Sequence, residues 1–221
     1  MCRSFRRRGI CEVLLHGTPE RLHHFLAMSG HAYLYSLSQG NEETLLTSRA
    51  PPLLDALACG DQDTARAIAL HNSKPLDPRR EYEEDFLFMQ CLVGMVTSSP
   101  VGDEERAPRA RPVVLARQPQ DARSEVVESL HYRNAEQFNT ALTQLLDEEH
   151  ARWLRLQEKG RGLEEDAATE MHVCVEGLAL LRLAEQRGLH VLTEYLAVPS
   201  LVRVKVPNLP GPEAWKDPAR W

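Results

Sequence analysis

The sequence predicts an all-α protein, an irregular array of antiparallel helical hairpins around a buried C-terminal helix. Apolar residues recur every three or four positions along most of the chain, whereas strand-like alternation is confined to short pieces near the C-terminus. Capping residues and glycines separate the helical segments. Because the chain has 221 residues, 43% of them hydrophobic, it can bury a substantial core. We expect a single domain over residues 1–221.

Three breaks between amphipathic segments predict three pairs of helices. The first break, at residues 17–18, precedes a helix predicted over about Pro19–Ser38, with a threonine cap and a proline in the first turn. The second, a glycine and an aspartate at 60–61, divides PPLLDALACGDQDTARAIAL. The third, at 133–134, separates SEVVESLHY from AEQFNTALTQLLDEEHARWLRLQEK. The spacing of these units is not constant, so they do not form a regular repeat.

Two further segments lie between the second and third breaks. A helix is predicted to begin with Asp77 as its cap and Pro78 in its first turn, and to continue through REYEEDFLFMQCLVGMV. Residues 98–123 contain four prolines and mixed charges with little periodicity, which predicts a long exposed internal linker. Its arginines could suggest a nucleic-acid tract, but the acidic residues beside them favour a solvated loop.

Residues 173–184 are apolar except for Glu176 and Arg182, which is typical of a helix buried among others. A glycine within such a helix costs about 1 kcal/mol of helix propensity relative to alanine, so Gly177 indicates close packing of a neighbour. Because a carboxylate in a dry environment needs a partner, we predict that Glu176 is a buried structural acceptor paired with His172. An acid or base role for Glu176 is the alternative.

The last segment, residues 190–221, contains five prolines after Tyr195 and predicts an extended tail that packs on the helices. Trp215 and Trp221 are candidate anchors for it. We favour simple packing of this tail over a role as a partner-binding arm.

Composition and motifs exclude several functional classes. The formal net charge of −6 disfavours nucleic acid and anionic membranes and favours a basic partner. The five cysteines occur singly, and no stretch is long enough for a signal peptide or a membrane span, so we expect a cytoplasmic protein. The sequences GxxxxGK[ST], GxGxxG, GxSxG and HExxH do not occur. Their absence removes the commonest enzyme classes, and we expect no cofactor.

Two other functions stay open beside the binding of a basic partner. Glu20 with His23, and Asp147 with His150, have the spacing of metal ligands on a helix, but a di-iron bundle needs further carboxylates that the pattern does not supply. We predict no metal site, and a metal-binding helical-bundle enzyme is the less favoured alternative. A tetratricopeptide-like adaptor that binds peptides is the other, and the lack of a fixed repeat argues against it.

Three acidic runs could combine into a surface that meets a basic partner and speeds its association, although such runs are most often solvated helix faces. Their members are Glu81, Glu83, Glu84, Asp85, Asp147, Glu148, Glu149, Glu164, Glu165 and Asp166.

The segments PPLLDALACGDQDTARAIA, EYEEDFLF and VEGLALLRLAEQRGL resemble the immunity 49 family of bacterial polymorphic-toxin systems, over about residues 48–201. The resemblance implies a helical, non-enzymatic protein that binds and neutralises a cognate toxin. A basic, nuclease-like toxin would suit the negative charge. Residues 1–40 resemble a shortened form of the family's N-terminal region. Such shortening could leave apolar surface near Leu14, Leu22 and Phe25 exposed or available for a homodimer.

Overall fold

The computed structural model describes residues 1–40, 46–72, 74–97, 121–160, 164–217 and 219. Within these ranges the regular structure is helical, apart from one isolated bridge between Tyr195 and Val198, so the all-α prediction is confirmed. The helices are α1 (Cys2–His16), α2 (Pro19–Ser38), α3 (Pro51–Cys59), α4 (Gln62–His71), α5 (Glu83–Thr97), α6 (Ala122–Tyr132), α7 (Ala135–Glu158), α8 (Glu164–Ala167) and α9 (Val175–Gln186). Short 3-10 helices occupy Thr47–Arg49, Ser200–Arg203 and Ala214–Lys216.

The predicted breaks have the local chemistry of helix ends. Gly60 closes α3 in the left-handed conformation, with φ of 82°, and the Asp61 side chain caps α4 by accepting from the Thr64 N–H at 3.1 Å. Arg133 takes the same left-handed conformation after α6, with φ of 53°, and the side chain of Asn134 caps α7. The consecutive helices α1 and α2, α3 and α4, and α6 and α7 pack against each other.

Helix α1 was predicted only as the unbounded partner of α2, and it changes the expectation for the residues near it. It crosses α2 closely at Gly9, where an added Cβ would lie 3.1 Å from the Cβ of Phe25. Phe5 stacks on the same ring, with 6.4 Å between centroids. Leu22 and Phe25 are therefore buried, and the prediction that they are exposed or serve dimerisation is wrong, whereas Leu14 is 45% exposed.

Helix α5 begins at Glu83, five residues later than predicted. Its predicted first turn is instead a tight turn held by Glu81, whose carboxylate accepts hydrogen bonds from the N–H groups of Ser48 and Asp77, at 2.7 and 3.1 Å. The predicted linker over 98–123 also ends early, because α6 begins at Ala122. Residues 98–120 of that linker lie outside the described residues.

The buried helix α9 packs on α3 and is shorter than predicted, because residues 168–174 form turns between α8 and α9. An added Cβ on Gly177 would lie 2.8 Å from Leu146 Cδ2 of α7 and 2.9 Å from Val198 Cγ2. The close approach predicted at this glycine is confirmed, since no larger residue fits there without movement of its neighbours.

The segment after α9 packs against the helices through Val198 and Val202, which are both 0% exposed. Arg182 of α9 fastens it by donating a hydrogen bond of 2.6 Å to the Val204 carbonyl. Trp215 lies 5.2 Å from the Tyr35 ring, between centroids, and Trp221 lies outside the described residues. No helix in the described ranges has the length and apolar character needed to cross a membrane.

Candidate functional site

A cleft of about 260 Å³ opens between α5, α7 and the turns that lead into α9. Its walls mix apolar and charged side chains, and the apolar part comes from Phe88 and Met89 of α5, Leu146 and Trp153 of α7, and Met171 of the turns. Trp153 and Met171 are half-exposed, whereas the other three side chains belong to the buried core. The cleft therefore joins the interior of the protein to its surface.

Arg123 of the cleft lining connects three helices through its hydrogen bonds. Its guanidinium donates two hydrogen bonds to the Glu176 carboxylate, at 3.0 and 2.8 Å, and one to Asp85 at 2.9 Å. It also lies over the Phe88 ring, 4.5 Å from the centroid. Burial by itself lowers the pKa of Arg123, but Glu176 and Asp85 outweigh burial and raise it. Arg123 thus stays charged and joins α5, α6 and α9.

The predicted partner of Glu176 is wrong. His172 is exposed, and it lies in the turns before α9 instead of one helical turn earlier on the same helix. Glu176 itself is half-buried in the first turn of α9, where it pairs with Arg123. Sequence alone gave no signal for this pair, because Arg123 was placed in the linker and lies 53 positions from Glu176.

A second set of ion pairs begins on α1, deeper in the protein. Arg6 donates to Asp55 of α3 at 2.7 Å, and the Ser29 hydroxyl donates to the other oxygen of Asp55 at 2.6 Å. Burial raises the pKa of Asp55, while Arg6 and Ser29 act in the opposite direction. Burial lowers the pKa of Arg6, but Asp55 and Glu170 outweigh it and raise the pKa, so Arg6 stays charged.

Two other arginines of α1 extend this set toward the cleft. Arg3 and Arg7 both pair with Asp166, which is 4% exposed, and Arg7 also reaches Glu165 at 3.1 Å. Glu170, in the cleft lining, is less tightly engaged, since its carboxylate oxygens lie 3.9 Å from the nearest nitrogens of Arg3 and Arg6. The spacing of the arginines at positions 3, 6 and 7 along one helical face was a sequence signal that could have revealed this set.

The predicted acidic surface is only partly at the surface. Glu81 is 8% exposed and holds the turn before α5, and Asp166 is buried by the arginines of α1, so neither is open to a partner. Asp85 and Glu149 line the cleft. The fully exposed members are Glu83, Glu84, Asp147, Glu148, Glu164 and Glu165.

Histidines and cysteines of the site do not form a cluster in the described ranges, where no group of three or more His, Cys, Asp or Glu side chains could hold a metal ion. His23 is 0% exposed, and its Nε2–H donates to the Val202 carbonyl at 3.0 Å. Burial is the main cause that lowers its pKa to about 4.

In the cleft lining, burial followed by the charge of Glu176 raises the pKa of Cys174 to about 12, so this thiol stays protonated at neutral pH.

A model of the family described as Immunity protein 49 matches residues 19–200. The chain belongs to the Immunity protein 49 family. The match begins at the first residue of α2 and contains every residue that lines the cleft except Arg6. No curated protein and no solved structure gave a significant match to the chain.

Proposed function

We propose that this member of the Immunity protein 49 family binds a cognate bacterial toxin and neutralises it stoichiometrically in the cytoplasm of the producing cell. The observation that carries the proposal is the family match over residues 19–200, which contains most of the core and nearly all of the cleft. The cleft chemistry supports binding over catalysis. Its arginines are engaged by carboxylates, and its cysteine has a pKa of about 12, too high for a nucleophile at neutral pH.

The toxin-binding face, in this proposal, is the side of the molecule that carries the cleft. Glu83 and Glu84 precede Asp85 at the start of α5, and Asp147 and Glu148 precede Glu149 on α7; these four are exposed. With a net charge of −6 on the whole chain, this side would attract a basic protein surface. A toxin with a basic substrate groove, such as a nuclease, fits these requirements.

Co-expression tests the proposal. The toxin encoded beside this protein should arrest growth when expressed alone, and co-expression of the two should restore growth. The purified proteins should also migrate together as a one-to-one complex on size-exclusion chromatography with light scattering. Failure of both growth rescue and complex formation would contradict the proposal.

A charge-reversal variant tests the proposed face. Substitution of Glu83, Glu84, Asp147 and Glu148 by lysine should lower the association rate constant by about tenfold or more at low salt, because steering by charge acts mainly on the encounter step. The matched control reverses four exposed acids outside the acidic runs, Glu20, Asp63, Glu136 and Glu158, and so changes the net charge by the same amount. Equal rate losses in the two variants would place the face elsewhere.

A further inference from the structure

The cleft contains polar groups that the described part of the chain leaves without a close partner. Among the described residues, the nearest cations to the Glu170 carboxylate are those of Arg3 and Arg6, 3.9 Å away. Nδ1 of His150 is buried and has no hydrogen-bond partner in the same ranges. Buried polar atoms in proteins normally have a partner. A carboxylate only accepts hydrogen bonds, so a donor is the partner that suits Glu170.

The ion pairs beside the cleft leave a surplus of negative charge. On the α1 side, three guanidiniums face four carboxylates. These are the side chains of Arg3, Arg6 and Arg7, and of Asp55, Glu165, Asp166 and Glu170. On the α5 side, one guanidinium, that of Arg123, faces two carboxylates, Asp85 and Glu176, while Arg152 and Glu149 of the lining pair with each other. The field at the cleft therefore favours a cationic donor and opposes an anion.

The size and the wall residues of the cleft indicate which kind of cationic group it can hold. Its volume of about 260 Å³ falls below the roughly 300–1,000 Å³ of small-molecule sites, so it suits one side chain of a protein partner. Leu146 and Met171 can contact an aliphatic stem, and Trp153 offers a flat aromatic surface. Trp153 already attracts a guanidinium, since Arg152 Cζ lies 5.0 Å from its ring centroid.

We infer that the cleft binds an arginine side chain presented by the toxin, with Glu170 as its carboxylate partner and Trp153 as its stacking surface. The inference rests on the proposed function and goes beyond it by naming the group that is recognised. A guanidinium carries five donors in one plane and stacks on aromatic rings, which suits acceptors beside a flat ring better than the compact ammonium of lysine. An arginine from a basic toxin surface also agrees with the acidic residues that flank the cleft.

N-acetylarginine amide is the probe for this site, and N-acetyllysine amide and N-acetylcitrulline amide are its controls. Titration of the whole protein, followed by NMR of the Trp153 indole N–H, should show saturable binding of the arginine probe, with the other two at least about fivefold weaker. Citrulline keeps the shape of arginine without its charge. Absence of saturation with the arginine probe, or equal binding of all three, would overturn the inference.

Two variants test the assigned residues. Glu170→Gln removes a charge-assisted hydrogen bond and should weaken binding of the arginine probe about tenfold. Trp153→Ala should weaken it several-fold, and Trp153→Phe, which keeps a ring, should weaken it less. Glu164→Gln, at an exposed residue outside the cleft lining, is the matched control and should bind as the wild type does. Circular dichroism and thermal unfolding show whether each variant is folded.

The same variants separate this inference from the proposed function. If wild type and Glu170→Gln bind the toxin with the same Kd, the arginine assignment is wrong, while neutralisation of the toxin still stands. If the wild type binds the arginine probe but not the toxin, the cleft still prefers arginine, and its assignment to a toxin is overturned. Support for both requires that Glu170→Gln bind the toxin about tenfold more weakly than the wild type and Glu164→Gln do.

Discussion

The two sets of arginine–carboxylate pairs differ in how far water reaches them. In the inner pair, the side chains of Arg6 and Asp55 are 13% and 2% exposed, and Ser29 occupies the remaining Asp55 oxygen. In the cleft, the side chains of Arg123 and Asp85 are 31% and 45% exposed. Removal of one partner from the inner pair leaves a poorly hydrated charge. In the cleft, water can replace the lost partner.

Two histidines show the same contrast. Among the described residues, both His23 and His150 have a buried Nδ1 without a hydrogen-bond partner. His23, on α2, is buried against the segment after α9 and donates a hydrogen bond to the Val202 carbonyl, whereas His150 is half-exposed at the cleft. We infer that the sealed polar groups set the stability of the fold, while those of the cleft are free to serve binding.

The largest effect on stability is expected at Asp55. Asp55→Asn keeps the size of the side chain but leaves Arg6 with a more distant carboxylate, that of Glu170 at 3.9 Å, so the free energy of unfolding should fall by about 3–5 kcal/mol. Urea denaturation measures this loss. The control is Glu165→Gln, at a side chain that is 69% exposed, which should change stability by less than about 0.5 kcal/mol because solvent screens such pairs. Equal losses in the two variants would remove the distinction between sealed and open pairs.

The sealed histidine predicts a pH dependence. His23 has a pKa of about 4 in the folded protein, against the usual 6.5, so unfolding takes up a proton between these values. Stability should therefore be full above pH 6.5 and decrease as the pH falls from 6.5 to about 4, by roughly 3 kcal/mol from this residue. His23→Gln should lose that part of the slope, whereas His190→Gln, at an exposed residue, should keep it. Matching slopes in the wild type and His23→Gln would contradict the assignment.

A smaller effect on stability is expected at Arg123. Arg123→Met breaks the contacts with Glu176 and Asp85 but leaves both carboxylates within reach of water, so we expect a loss of about 1–2 kcal/mol in urea denaturation. Arg152→Met is the control in the same cleft, because the side chain of Arg152 is 50% exposed and its ion pair is with Glu149, a neighbour on the same helix. It should change stability by no more than about 0.5 kcal/mol. A loss at Arg123 as large as that at Asp55 would show that the cleft pair is sealed as well.

The smallest effect is expected at the acidic residues that flank the cleft. Reversal of Glu83, Glu84, Asp147 and Glu148 should shift the free energy of unfolding by about 0.5 kcal/mol or less per residue, because these side chains are exposed. A large drop in the thermal midpoint would instead give them a structural role. Such a result would also remove the ground for their use as probes of toxin association.

The parts of the fold that sequence predicted well depend on local signals. The bounds of α2, Pro19–Ser38, were predicted as the structure shows them, because a cap, a proline and a regular apolar face mark the helix. The cap at Asp61 was equally local. Gly177 revealed a tertiary contact, since a glycine inside an apolar helix needs a packing reason.

The parts that sequence missed depend on residues distant along the chain. Glu176 was recognised as a carboxylate in need of a partner, but Arg123 is 53 positions away in a segment without periodicity. Asp166 was predicted to belong to an exposed acidic run, but in the structure Arg3 and Arg7 of α1 pair with it. The bounds of α1 were not predicted, because its several arginines, which pair with these carboxylates, interrupt its short apolar stripe.

Titration of the purified toxin with this protein tests toxin neutralisation most directly. With the toxin held well above the Kd of the complex, its activity should fall in proportion to the amount added and reach zero at one equivalent, as stoichiometric inhibition requires. Full toxin activity in the presence of excess protein would contradict the account. So would complete inactivation by a small fraction of an equivalent, since that would indicate catalytic turnover.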